Sequence, residues 1–274
     1  MNRPSAEKPP PVTDPSAHDE SDPSGYPDED PAPSGNRHIH LDPPPTPEVA
    51  ERRRHAVLAG HTGDVETARS LRLDPEPVVR AAALGALARA GGLTDDELAG
   101  GLTDTNAAVR RRALEILGAP EEPVSKSAGA PSGSLADLLA RLLADLLSDH
   151  DPTVVEVACW AAGEHPGSAN VLVRPLVAVA GTGSGPEAER PGHPDHLCRE
   201  AAVAALGALG HEAGRESVLA GLTQKATIRR RAVLALAAFE GDDIEAALAE
   251  ALDDRDWQVR QAAEDLLGVD PGPG

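Results

Sequence analysis

The side chains in this sequence that are equipped for metal or nucleophile chemistry fall into short, incomplete groups. His193-Pro-Asp-His196-Leu-Cys198 carries possible zinc ligands at close spacing. A zinc centre takes four ligands in a tetrahedron, and no Cys-x-x-Cys or His-x-x-x-His element completes this set. His38-Ile-His40 fails on the same ground. No nucleophile elbow of the Gly-x-Ser-x-Gly form occurs. Gly181-Thr-Gly-Ser-Gly185 lacks the lysine of a phosphate-cradling loop and reads as a linker. Neither a metal, a cofactor nor a catalytic constellation is expected, which points away from an enzyme.

Recognition chemistry is better supplied. A Trp side chain such as Trp160 covers about 150–250 Å², worth roughly 4–6 kcal/mol at ~25 cal/mol per Å², so leaving it in water is a large loss. It either packs on a neighbouring element or anchors a partner. Arg111-Arg112 and Arg230-Arg231 are basic pairs, with Glu156 and Glu200 between them along the chain. Together these make either a solvated charged face or a charge-patterned groove. The candidate partner-binding residues are Trp160, Arg111, Arg112, Glu156, Glu200, Arg230 and Arg231.

A recurring helical phrase must position these side chains: a basic residue, a small residue three places on, and an aliphatic or small residue four further. It occurs at Arg80/Ala83/Leu87, Arg110/Ala113/Leu117, Val155/Ala158/Ala162, Arg199/Ala202/Leu206, Arg229/Ala232/Leu236 and Arg260/Ala263/Leu267, with Val155 once in place of Arg. The anchors stand 30, 45, 44, 30 and 31 residues apart, a unit of about 30 with two insertions. Such a period marks stacked supersecondary units that bury a face only against each other. The expected fold is all-α: a right-handed α-solenoid of about six helix pairs over residues 47–268, with insertions at 119–133 and 181–193. A degenerate helix from Pro47 to Leu58 covers the start of the stack. The candidate residues then lie one, two or five places after an anchor, on the exposed side of the second helix of a pair.

Composition agrees with thin helical layers, since Tyr26, Trp160, Phe239 and Trp257 are the only aromatics. Formal net charge is −20, and Lys occurs only at Lys8, Lys126 and Lys225. Phosphate backbones are repelled by such a chain, so nucleic acid is disfavoured, with the triplets 52–54, 110–112 and 229–231 as a local basic exception. No apolar run approaches the ~18 residues of a membrane span, and MNRPSAEKPPP has no apolar signal-peptide core. A cytoplasmic protein with a protein partner is expected, a monomer by default. Residues 1–46 are proline-rich, with nine acids against three bases, and are expected to be a disordered acidic tail. Its Asp28-Glu29-Asp30 run is a candidate internal decoy for the arginines; residues 269–274 should fray. Cys159 and Cys198 sit five places out of register on adjacent repeats. That is about 7.5 Å along the helices added to ~8–10 Å between axes, too far for the ~4.4–6.8 Å of a disulfide.

Asp-Pro-Glu-Pro-Val-Val-Arg-Ala-Ala-Ala-Leu-Gly-Ala-Leu at 74–87 and Asp-Arg-Asp-Trp-Gln-Val-Arg-Gln-Ala-Ala-Glu-Asp-Leu-Leu at 254–267 resemble HEAT-like repeats of the phycobilisome-lyase type. The resemblance covers roughly residues 47–268. It implies a ladder of turn Asp and helix Arg between neighbouring repeats, and a concave face lined by the second helices. The matching positions are Asp74, Asp104 and Asp254, six places before Arg80, Arg110 and Arg260, and Asp149, six before Val155. His193 and Thr223 hold that place before Arg199 and Arg229, so the ladder is expected to weaken through repeats 3 to 5. The family spans phycobilin-lyase subunits, a dinuclear-iron hydroxylase, DNA-repair glycosylases and adaptors, so it implies a fold and leaves function open. A di-iron site needs several His-Glu pairs on different repeats. This chain offers His211-Glu212 and the reversed Glu164-His165. An adaptor that grips a protein along the concave face is the expectation. An enzyme or enzyme subunit is the alternative, and a nucleic-acid-associated protein the third.

Overall fold

The computed structural model describes residues 44–119, 133–182 and 191–268. The expected acidic tail up to residue 43, residues 120–132 and 183–190 of the insertions, and residues 269–274 lie outside these. Among the described residues there is no strand. The helices are α1 (Pro47–Thr62), α2 (Val65–Leu71), α3 (Pro77–Arg89), α4 (Asp95–Leu102), α5 (Ala107–Leu117), α6 (Gly133–Leu146), α7 (Pro152–Gly163), α8 (Ala169–Ala180), α9 (His196–Leu209), α10 (Arg215–Gly221), α11 (Ala226–Leu236), α12 (Asp242–Ala251) and α13 (Trp257–Leu267). Single 3₁₀ turns, Pro166–Ser168 and Glu212–Gly214, lead into α8 and α10.

Local chemistry sets the helix ends. Thr94 and Glu97 form a capping box: the Thr94 hydroxyl accepts the Glu97 N–H at 3.3 Å, and the Glu97 carboxylate accepts the Thr94 N–H at 2.9 Å. Asp64, Asn106, Asp151, Asp195 and Asp256 cap α2, α5, α7, α9 and α13 in the same sense. At Asp74-Pro75-Glu76-Pro77 the second proline decides where α3 begins. The residue before a proline is held extended, so Glu76 (φ −85°, ψ 122°) becomes the N-cap and Pro77 opens α3. Asp74 instead accepts the Glu76 N–H at 2.9 Å and keeps its carboxylate for a contact with α1.

From α2 onward the helices fall into six successive pairs, and the chain is an α-solenoid. The second members α3, α5, α7, α9, α11 and α13 stack in one row, headed by α1 against α3. Thus α1, which runs to Thr62, heads that row and covers the start of the stack. The second helices lie close together while the first helices approach one another much less, which makes the second row the inner layer. The cause is a register of small residues. Gly60, Gly118, Gly163 and Gly207 each stand eight places after an anchor position, and each faces an alanine six places after the next. A Cβ on Gly60 would lie 2.7 Å from Ala86 Cα, on Gly118 2.9 Å from Ala161 Cα, and on Gly207 2.7 Å from Ala235 Cα. At Gly163 the distance to Ala205 Cα is 3.4 Å.

The apolar core between the layers is continuous from Leu98 on α4 to Ile244 on α12, with separate small clusters at either end of the stack. Cys159 and Cys198 are thiols, not a disulfide, and both are fully buried within it; burial pushes the Cys159 thiol up, and the Cys198 thiol donates to Pro152 O at 3.2 Å. No helix among the described residues is long and apolar enough to cross a membrane.

Candidate partner-binding groove

The inner row is held in register by the ladder, and each rung runs forward to the following repeat. Arg80 donates through Nε and Nη2 to Asp104 at 2.9 and 2.7 Å, while its Nη1 donates back to Asp74 O and Pro75 O of its own turn. Arg110 grips Asp149 in the same way at 2.7 and 2.8 Å, and Arg229 grips Asp254 at 2.8 and 2.9 Å. Each aspartate also accepts the N–H two residues on, from Asn106, Asp151 and Asp256. Such bidentate, charge-assisted pairs fix both distance and angle between repeats. Arg52 of α1 supplies a further rung to Asp74, at 2.7 and 3.1 Å. The Arg52 guanidinium holds the Asp74 carboxyl below the usual carboxylate range. At Asp104 and Asp254 burial pushes the other way and is outweighed by the Arg80 or Arg229 fork together with a backbone N–H.

The ladder changes character in the middle. Val155 is fully buried where an arginine is expected, and opposite it His193 replaces the aspartate; its Nδ1 accepts the Asp195 N–H at 3.1 Å, so the turn bond survives without the charge. One rung on, Arg199 donates to Gln224 Oε1 at 2.9 Å, not to Thr223 as the count from Arg229 implies. The turn is one residue shorter there: Arg229 Nη1 reaches Gln224 O five places back, where Arg80 and Arg110 reach six. Without a carboxylate opposite, burial lowers the Arg199 pKa, whereas the Asp104 contact raises that of Arg80. Arg260, on the last helix, donates through Nη1 to Asp254 O at 2.7 Å and Arg255 O at 3.2 Å.

Across the inner face of α7 and α9 runs a hollow of about 360 Å³, lined by Glu156, Trp160, Glu164, Glu200 and Arg231 over a floor of small residues that includes Ala204 and Ala208. It continues between α9 and α11 as a second hollow of about 410 Å³, sharing Ala204, Ala208 and Arg231 and reaching Leu234. Trp160 is 43% exposed. One edge of its ring lies over Gly118, where a Cβ would come within 2.7 Å of Cζ3, and the rest stands in the groove. Glycine at 118 therefore lets the end of α5 pass under the indole.

Of the residues singled out from sequence, Trp160, Glu156, Glu200 and Arg231 meet in this groove. The others do not. Arg111 donates to Thr153 Oγ1 at 3.1 Å and so ties α5 to α7. Arg112 lies over Gly85 of α3, where a Cβ would come within 2.5 Å of Nη2, and pairs with Glu115 at 2.8 Å. Arg230 is exposed and lines neither hollow. Glu164, Ala204, Ala208 and Leu234 join the site; Ala204 and Leu234 stand five places after their anchors, like Trp160, and Glu164 and Ala208 nine, one turn further along the same face.

A larger cavity of about 540 Å³ lies between α4, α6 and the end of α5 and shares Glu164 with the groove. Its wall runs to Ala119 and Ala136, on either side of residues outside those described, so the described residues alone do not define what it encloses. Among the described residues, no three His, Cys, Asp or Glu side chains are gathered to hold a metal ion.

No protein-family model matches the chain, and no curated protein matches it significantly. Solved structures do. An engineered protein aligns at 20% identity with TM-score 0.54, over 75% of this chain and 97% of its own. The Escherichia coli protein YibA aligns at 18% identity with TM-score 0.50, over 82% of this chain and 76% of its own. A designed armadillo repeat protein is a looser likeness, at 16% identity and TM-score 0.45 over 74% of this chain and 98% of that one. At such identities the likeness extends to the fold alone: the chain is a helical-repeat protein built as an all-α solenoid.

Proposed function

We propose that this protein is an interaction scaffold with no catalysis of its own, which holds an extended segment of a partner protein along the inner face of its second helices. Its repeats are of the HEAT-like, phycobilisome-lyase type, and it acts as a cytoplasmic monomer. The observation that carries the reading is Trp160, 43% exposed at the wall of an alanine-floored groove spanning α7 to α11. A ring left half in water beside an open apolar floor is the arrangement of an interface anchor. The continuous apolar core beneath α7 and α9 supports the same use, because it makes the groove a rigid feature that exists before a partner arrives, so little ordering is lost on binding.

A displayed library of unstructured peptides, panned on the intact protein and then titrated against wild type and Trp160→Ala, tests this. Trp160→Ala is expected to weaken the selected peptides at least about tenfold. Selected peptides that bind both proteins equally well would place the contact elsewhere on the solenoid and end the groove assignment.

A further inference from the structure

Resting on that groove, we infer that the partner segment carries an arginine or lysine whose cation lies on the ring of Trp160 and takes the Glu200 carboxylate from Arg231. The lining sets the sign: Glu156, Glu164 and Glu200 face a single base, Arg231. A Trp ring presents a negative face and binds cations better than any other side-chain ring. Acid rim and indole therefore favour the same kind of ligand. The floor of Ala201, Ala204, Ala205 and Ala208 leaves room for the aliphatic stem of a long basic side chain to lie along apolar surface while its charge reaches the rim.

Arg231 is a weak occupant of that position. It touches Glu200 through Nε alone, at 3.3 Å, with no bidentate grip of the kind seen in the ladder. The carboxylate is the fixed member of the pair: the Glu200 side chain is 22% exposed, whereas that of Arg231 is 51% exposed. An exposed, single-contact ion pair is held with little free energy and is screened by salt. An incoming guanidinium with two parallel N–H groups makes the better partner, and Arg231 is free to swing to solvent. The native arginine thus acts as a placeholder, occupying the acid so that it is not left uncompensated, and yielding to a ligand that adds an indole contact. The net charge of −20 steers basic segments towards the protein from a distance. An acidic partner would use Arg231 as its receptor, and loss of that residue would then have the opposite effect.

The test uses the full chain carrying Trp257→Phe, so that Trp160, the other of its two tryptophans, is the sole source of indole emission. The probe is a fluorescein-labelled peptide of alternating Arg and Ala, with a Glu-for-Arg peptide as counterpart, each read by anisotropy and by Trp160 emission. The Arg peptide should shift Trp160 emission, and anisotropy should show binding about five- to thirtyfold weaker with Trp160→Ala. Glu200→Gln should weaken it, and Arg231→Ala should tighten it roughly two- to fivefold. Unchanged or weaker binding with Arg231→Ala overturns the displacement, as does binding that leaves Trp160 emission unmoved, since that is attraction to the acidic surface at large. Preference for the Glu peptide, abolished by Arg231→Ala, overturns the cationic ligand and leaves the groove standing. If library-selected peptides are also insensitive to Trp160→Ala, the groove itself has failed. Thermal melts of each variant show that the fold is retained.

Discussion

Arg110 and Arg260 hold equivalent places on their helices and face different surroundings. Arg110 and Asp149 are almost fully covered, with side chains 7% and 6% exposed, and form a bidentate pair. Arg260 donates only to backbone carbonyls of its own turn. Arg110→Ala strands a buried carboxylate and is expected to cost about 3–5 kcal/mol. Arg260→Ala removes carbonyl hydrogen bonds at a half-buried site and should cost about 1 kcal/mol. Urea denaturation of the two variants checks the ranking, and equal losses would show that the forward carboxylate is not what the arginine stabilises. The recurring arginines were legible from spacing, because each must leave its helix at the same angle. Arg52 was not: His55 stands where the phrase requires a small residue, and its partner Asp74 lies in the next repeat. Gln224 escaped for a different reason, a turn one residue short, which no count from the anchor reveals.

The same contrast holds between elements, where two glycines in helices have opposite roles. Gly207 in α9 lets α11 approach until a Cβ at 207 would be 2.7 Å from Ala235 Cα, so backbone itself stands in the way. Gly100 in α4 has only the end of Arg72 nearby, with Nη1 at 3.8 Å. Alanine is favoured over glycine in a helix by about 1 kcal/mol, so Gly100→Ala should stabilise the protein by up to that amount. At Gly207 the clash outweighs the propensity gain. Gly207→Ala should lose about 1–2 kcal/mol, since overpacking typically costs ~1–3 kcal/mol. Thermal denaturation of the pair distinguishes the roles by sign. The helices themselves were readable from the anchors, whereas the glycines at 60, 118, 163 and 207, each eight places after an anchor position, form a register that takes its meaning only from the alanine facing each one. It separates the layers into inner and outer, and so decides which face Trp160 can offer to a partner.

Over the whole solenoid, burial and the ladder disagree about where the stack is strongest. The ladder is broken between α7 and α9, at Val155 and His193, whereas the apolar core is continuous there, with Val155, Ala158, Cys159, Cys198 and Ala202 fully buried. The ends show the reverse. Arg52–Asp74 and Arg229–Asp254 are complete rungs, yet the clusters beneath them are small and separate, and Leu58, Leu73 and Trp257 are 52%, 75% and 61% exposed. In a one-dimensional stack the stability of each repeat follows from its own core and its neighbour interfaces, so these two terms are separable by position. Apolar burial adds ~25 cal/mol per Å² over a whole interface, while a well-made rung mostly offsets the cost of burying its own charges. Hydrogen exchange should therefore be slowest in α7 and α9 and at least about tenfold faster in α1, α2, α12 and α13. Val155 then reads as a rung exchanged for core, and the rigid centre coincides with the segment that carries Trp160, Glu156 and Glu200. Fastest exchange at α7 and α9 would instead make the ladder the main source of stability, and would put the groove on the softest part of the molecule.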